Sequence, residues 1–217
     1  MAVYVGDLSG TTGWTERWGT SEGSFAANTG PVRLTVTKSS ESNEYGISLD
    51  AVDSDSDRDD VEVLAKVRFN TQATATNTVG VFLRGSGTSG AENLIAVTLR
   101  DAGNDGSDFQ PIVYDFTSGS AGLIGSSGGS NVAATWYWIR ARANGTSLKA
   151  RVWLDGASEP TTWDVDETTT VAGVGWVGLY AFDTATDTYD LGYFAVGTNG
   201  DSPGGGSGNA FFMGADF

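Results

Sequence analysis

Cysteine and histidine are both missing from this 217-residue chain. Without cysteine there is no disulfide and no thiolate metal site. Without histidine the usual general base, the commonest zinc ligand and every Ser–His or Cys–His nucleophile pair are excluded. Lysine occurs only at Lys38, Lys66 and Lys149, and the net charge is −15. Such a chain lacks the clustered positive charge that nucleic-acid phosphates require, so no nucleic-acid partner is expected. Proline is held to 4 residues, which leaves no proline-rich linker. No apolar run is long enough to span a bilayer, so membrane insertion is not expected. The opening MAVYVGDLSG carries neither a basic n-region nor an apolar h-region, and no secretory signal is expected.

What is present points to strands. Threonine, valine and aromatics are frequent, and glycine, at 31 residues, supplies turns. Alternation dominates over any helical period. In DVEVLAKVRF one face carries Val61, Val63, Ala65, Val67 and Phe69, while Asp60, Glu62, Lys66 and Arg68 fall on the other. NLIAVTLR places Ile95, Val97 and Leu99 in register. Further strands are predicted over 33–38, 45–51, 78–84, 109–116, 136–142, 147–154, 173–182 and 189–196. Clusters such as GSGTSG, GNDGSD and GSSGGSN separate them. The expected fold is all-β, a two-sheet antiparallel sandwich of about a dozen strands.

The best-defined unit is WYWIRARANGTSLKARVWL. Asn144-Gly145 predicts a two-residue type I′ turn, since both residues tolerate positive φ. That register sets Trp138 against Arg151, Arg140 against Lys149 and Trp136 against Trp153 on one face. Tyr137, Ile139, Ala141, Leu148, Ala150 and Val152 form the other, core-like face. Trp136, Trp138, Arg140, Arg151 and Trp153 are therefore the candidate ligand-binding residues, because tryptophan beside arginine can stack a sugar or dock an acidic partner. The same pattern also suits rings that cap a sheet, with arginine stems packed over them.

From Trp136 to Asp164 the sequence resembles a recurrent stretch of concanavalin A-like, laminin-G-like jelly rolls. The positions that carry the likeness are Trp136, Arg140, Gly145, Leu148, Lys149, Arg151, Trp153, Gly156, Glu159, Pro160 and Trp163. GVGWVGLYAF and LGYFAVGT resemble the last two strands of that family. The resemblance implies a jelly roll and leaves function open, because the fold hosts lectins, glucanases, lyases and adhesive modules. It also implies a setting: such domains occur as structural or adhesive virion proteins of tailed bacteriophages, which lack signal peptides. Two departures bear on the site. The family's frequent Asp in the last strand falls on Gly192, which removes a partner for an N-terminal Asp such as Asp7 in a calcium site. The E-x-D-x-x-E strand of the glucanase branch, with its nucleophile and acid/base carboxylates, is missing.

DSDSDRDD, from Asp53 to Asp60, has the alternating carboxylates of a calcium loop. Arg58 stands where the turn glycine belongs and Leu64 where the bidentate Glu belongs, so a solvated acidic turn is expected and no metal ligand is assigned. Trp14 and Trp18 are expected to pin a first strand to its sheet. The chain divides into a sandwich over 1–199 and a Gly-rich arm over 200–217. Phe211, Phe212, Met213 and Phe217 follow glycine and serine in that arm, and are candidate anchors for a neighbouring subunit. The expectation for function is a non-enzymatic virion component without cofactor: a capsid decoration, cement or tail-appendage protein whose partners are other virion proteins. The alternatives are a carbohydrate-binding adhesin for a host-surface glycan and, on the same fold, a polysaccharide-degrading enzyme.

Overall fold

The computed structural model describes residues 2–38, 44–56, 58–70, 78–101, 109–127, 134–182 and 188–204. The strands in chain order are β1 (Ala2–Val5), β2 (Trp14–Trp18), β3 (Gly23–Thr29), β4 (Val32–Lys38), β5 (Glu44–Leu49), β6 (Val61–Phe69), β7 (Thr78–Ser86) and β8 (Asn93–Asp101). They continue as β9 (Phe109–Thr117), β10 (Ser120–Ser126), β11 (Tyr137–Asn144), β12 (Ser147–Leu154), β13 (Val165–Thr168), β14 (Trp176–Phe182) and β15 (Thr188–Thr198). A single helical turn, α1 (Asp50–Asp53), follows β5 and ends that strand before Ala51.

Two antiparallel sheets result. One runs β13-β12-β11-β6-β15-β4-β3, with β1 pairing the end of β15 as an eighth strand; the other runs β10-β9-β8-β7-β14-β5-β2. Some strands adjacent in sequence pair as hairpins, as β7 to β10 and β11 to β13 do, while others pass between the sheets, as β6 and β7 do. Alternation decides what lies between them. Val63, Ala65 and Val67 of β6 meet Val79 and Val81 of β7, Ile95, Val97 and Leu99 of β8, and Ile139 and Ala141 of β11 in one continuous core. Trp14 joins this core and meets Phe194 edge to face at 5.3 Å, so it does pin β2. Burying each large aliphatic side chain contributes about 1.5–3 kcal/mol, and this shared layer holds the sheets face to face.

The β11–β12 turn differs from expectation. Asn144 pairs with Ser147, and the two-residue loop is Gly145-Thr146. Gly145 has φ +54° and is the only residue of the pair at positive φ, which matches a turn with glycine at its first central position. Trp138 therefore faces Trp153 and Arg140 faces Arg151. Each strand has moved by one residue relative to the turn, so the pairing shifts by two and every side chain keeps its expected face.

Candidate functional site

The hairpin face that the sequence marks as a binding platform is built as a packing layer. Trp138 and Trp153 stack at 6.2 Å with their planes 13° apart, and retain only 8% and 5% exposure. Leu64 packs beneath them and Tyr193 beside them. Trp138 Nε1 donates to Asp155 at 2.9 Å, and Lys66 Nζ pairs with the same carboxylate at 2.7 Å. Buried Arg140 is surrounded by acceptors: Glu62, both oxygens of Glu159, Ser202 Oγ and the Pro203 carbonyl. Glu159 also pairs with Arg151, whose guanidinium lies 4.2 Å over the Trp163 ring. The chain thus supplies its own roof, from the loop after β12 and from Asp201–Gly204. The EP..W portion of the family likeness has a physical role here, because Glu159 ties both arginines and Trp163 covers one of them.

Trp136 is half-buried. Its ring lies against Gly192, where an added Cβ would sit 2.9 Å from the indole, with the Arg68 guanidinium 4.7 Å from the ring centroid. That close approach gives position 192 its glycine and leaves no room for a ligating Asp. Asp7 instead accepts from the Ser9 amide at 2.8 Å. The acidic run is likewise tied internally. Arg58 Nη1 donates to the carbonyls of Asp53 and Asp55, Asp53 pairs with Arg17, and Asp55 accepts from Tyr4 and Thr198. Phe211, Phe212, Met213 and Phe217 lie outside the described residues.

A cleft of about 200 Å³ opens on the outer face of the seven-stranded sheet. Phe116 and Tyr180 form its floor, and half-buried Tyr114, Phe182, Glu44 and Arg100 form its walls. In the register Glu44 faces Phe182, Phe182 faces Thr78 and Thr78 faces Arg100, whereas Phe116 lies several rows away opposite Ala121. Only a strongly coiled sheet brings those diagonal corners into one hollow. The Phe116 and Tyr180 rings meet at 5.8 Å, and Tyr114 meets Phe116 at 6.3 Å. Deeper in this face Trp18, Phe82, Leu94 and Ala96 complete a second apolar layer.

No protein-family model matches the chain, and no curated protein does. Solved structures do. The carbohydrate-binding module CBM66 from Bacillus subtilis superposes with a TM-score of 0.58 at 16% identity, covering 83% of this chain and 92% of that one. The exoplasmic/lumenal domain of VIP36, bound to calcium and mannose, gives 0.59 at 12% identity over 92% and 90% of the two chains. A carbohydrate esterase from the Shiga toxin-encoding bacteriophage phi24B gives 0.52 at 13% identity over 90% and 100%. The fold is a concanavalin A-like jelly roll.

Within this jelly roll the cleft combines apolar faces with a small set of polar groups. Burial, first of all, lifts the Glu44 carboxyl above its ordinary range; hydrogen-bonded Glu92 raises it further, and Lys38 pulls it back. Glu92 is 1% exposed and its Oε2 has no hydrogen-bond partner among the described residues. The Tyr180 hydroxyl is pushed well up by burial, with Glu44 and Glu92 adding to the effect, and stays protonated. Arg100 Nε is buried and unpartnered among the described residues. Such a hollow presents ring faces to C–H surfaces, and both donors and acceptors to hydroxyls. Sequence reasoning missed this cleft. Its one signal is that Tyr114/Phe116 and Tyr180/Phe182 are aromatic pairs at i and i+2.

Proposed function

We propose that this jelly roll is a non-catalytic carbohydrate-binding module whose sugar site is the cleft on the seven-stranded sheet. The observation that carries this reading is the meeting of Tyr114, Phe116, Tyr180 and Phe182 with Glu44 and Arg100 in one hollow. Aromatic walls take the apolar face of a pyranose or furanose ring, while Arg100 and Glu44, both in the lining, serve its hydroxyls. The superposition on a carbohydrate-binding module and on a mannose-bound domain supports the assignment. A glycan array followed by calorimetry tests it. Tyr114→Ala and Phe182→Ala should each weaken binding at least about tenfold without loss of fold. Incubation with the bound glycan should release no reducing ends. A glycan bound equally well by both variants rules out the cleft.

A second reading sets the module on a virus particle, as a decoration, cement or tail-appendage component. One observation favours it: Ser202 and Pro203 are anchored on Glu62 and Arg140, which fixes the base of the C-terminal arm. The glycines that follow give reach and the four apolar anchors give grip on a neighbour. In particle reconstitution, a chain lacking Gly204–Phe217 should stay folded and fail to incorporate. Normal incorporation of the truncated chain contradicts this setting.

A further inference from the structure

The eight-stranded sheet carries its own concavity, away from the roofed hairpin. A polar groove of about 380 Å³ lies across β3, β4, β15 and β6. One register row crosses it: Ala26 beside Thr35, Thr35 beside Asp190, Asp190 beside Arg68. At the centre the Asp190 side chain has 0% exposure. Its Oδ1 accepts from Thr35 Oγ1 at 2.6 Å, and Oδ2 from Arg68 Nη2 at 2.7 Å and Nε at 3.0 Å. Arg33 Nε lies 3.0 Å from Oδ2, an ion pair whose angle is too poor for a hydrogen bond. Asn28 Nδ2 in turn donates to Thr35 Oγ1 at 2.7 Å.

This arrangement spends the acceptors and leaves donors. Asp190 is saturated, whereas Arg33 Nη2 and Arg68 Nη1 meet no protein acceptor among the described residues. The described lining holds two guanidiniums against one carboxylate, an excess of positive charge in a chain carrying −15. Ion pairs that only pinned strands together would not need a hollow floored by small side chains. Here Ala26, on the outermost strand of the sheet, is exposed and leaves the space over the arginines open. Guanidinium forks with spare N–H groups match a planar carboxylate, and the surrounding amides and hydroxyls match a polar carrier.

We propose that this groove binds the carboxylate of an acidic saccharide, with Arg33 and Arg68 as the recognising forks. It lies on the opposite sheet from the aromatic cleft and does not depend on the function assigned there. The test is calorimetric titration of the full chain with sodium glucuronate, with glucose, acetate and sulfate titrated in parallel. Glucuronate should bind saturably, glucose should not, and acetate and sulfate should bind more weakly. Arg33→Gln should weaken glucuronate at least about tenfold, since Arg68 still balances Asp190 in that variant. Ala26→Phe should fill the groove and abolish binding, while Arg142→Gln, on the hairpin, should leave it unchanged. If the bulky variant does not fold, Arg33→Gln decides alone. No saturable glucuronate binding, equal affinity for sulfate or acetate, or undiminished binding by Arg33→Gln or by folded Ala26→Phe would each overturn the proposal.

Discussion

The outer faces of the two sheets use the same ingredients to opposite ends. On the hairpin half of the eight-stranded sheet, Trp138, Trp153, Arg140 and Arg151 are stacked, neutralised and roofed by segments of their own chain. On the seven-stranded sheet, Tyr114, Phe182, Arg100 and Glu44 keep part of their surface and enclose a hollow. Aromatics beside charges are therefore not in themselves a binding surface. The deciding feature is whether the chain provides the counter-charge and the lid. Glu62 and Glu159 occupy the places around Arg140 that an acidic ligand would otherwise take, and Pro203 closes the space beside them.

The sharpest way to break this contrast is Arg140→Ala. It leaves Glu62 and Glu159 charged beneath the roof, and should cost roughly 3–5 kcal/mol, or about 10 °C in Tm, by thermal and denaturant unfolding. A loss below about 1 kcal/mol would mean that the hairpin face is a surface after all.

Acid should act on the two sheets with opposite sign. Although burial opposes it, hydrogen bonds from Thr35, Asn70 and Arg68 and the charge of Arg33 hold the Asp190 carboxyl below its ordinary value of 3.8. Its contribution is complete above that value and is lost as pH falls through the lowered one. Asp190→Asn should therefore cost about 1.5–3 kcal/mol at neutral pH, a difference that closes in strong acid. Glu44 behaves in reverse. Its folded value stands above 4.5, so the protonated form is favoured and stability falls as pH rises through the raised value. Glu44→Gln should be more stable than the parent at neutral pH and equal to it below about pH 4.5. Urea titrations from about pH 1.5 to about pH 8 measure both slopes.

The smallest effect is expected at the end of the chain. Removing Gly204–Phe217 keeps Ser202 and Pro203 in the roof, and should leave Tm within about 2 °C of the full chain. A larger fall would show that the tail covers its own sandwich.

Much of the scaffold is legible in the sequence, because alternation over seven to nine residues leaves one reading. Val61 to Phe69 and Ile95 to Leu99 face the core as their spacing requires. Strands β1, β2, β3, β10 and β13 are not among the predicted ranges. Two are only four residues long, and SAGLIGS of β10 lacks a clean apolar alternation. The hairpin face was visible as a pattern, but its fate depends on residues brought from elsewhere. Glu62 lies 78 positions from Arg140, Glu159 lies 19 and Ser202 lies 62. The cleft was hidden for a related reason. Tyr114 and Phe116 share a face by parity, as do Tyr180 and Phe182, yet β9 and β14 meet over one hollow only through the strand order and coil of the sheet.

The most direct test of the central contrast is glycan binding by paired variants, one from each sheet. With the array-selected glycan in hand, calorimetry on the parent, Tyr114→Ala and Arg151→Gln compares the open cleft with the roofed hairpin. Tyr114→Ala should lose at least about tenfold in affinity with its Tm retained, and Arg151→Gln should bind as the parent does. Parent-like binding by Tyr114→Ala, with loss of binding in a folded Arg151→Gln, would contradict the account.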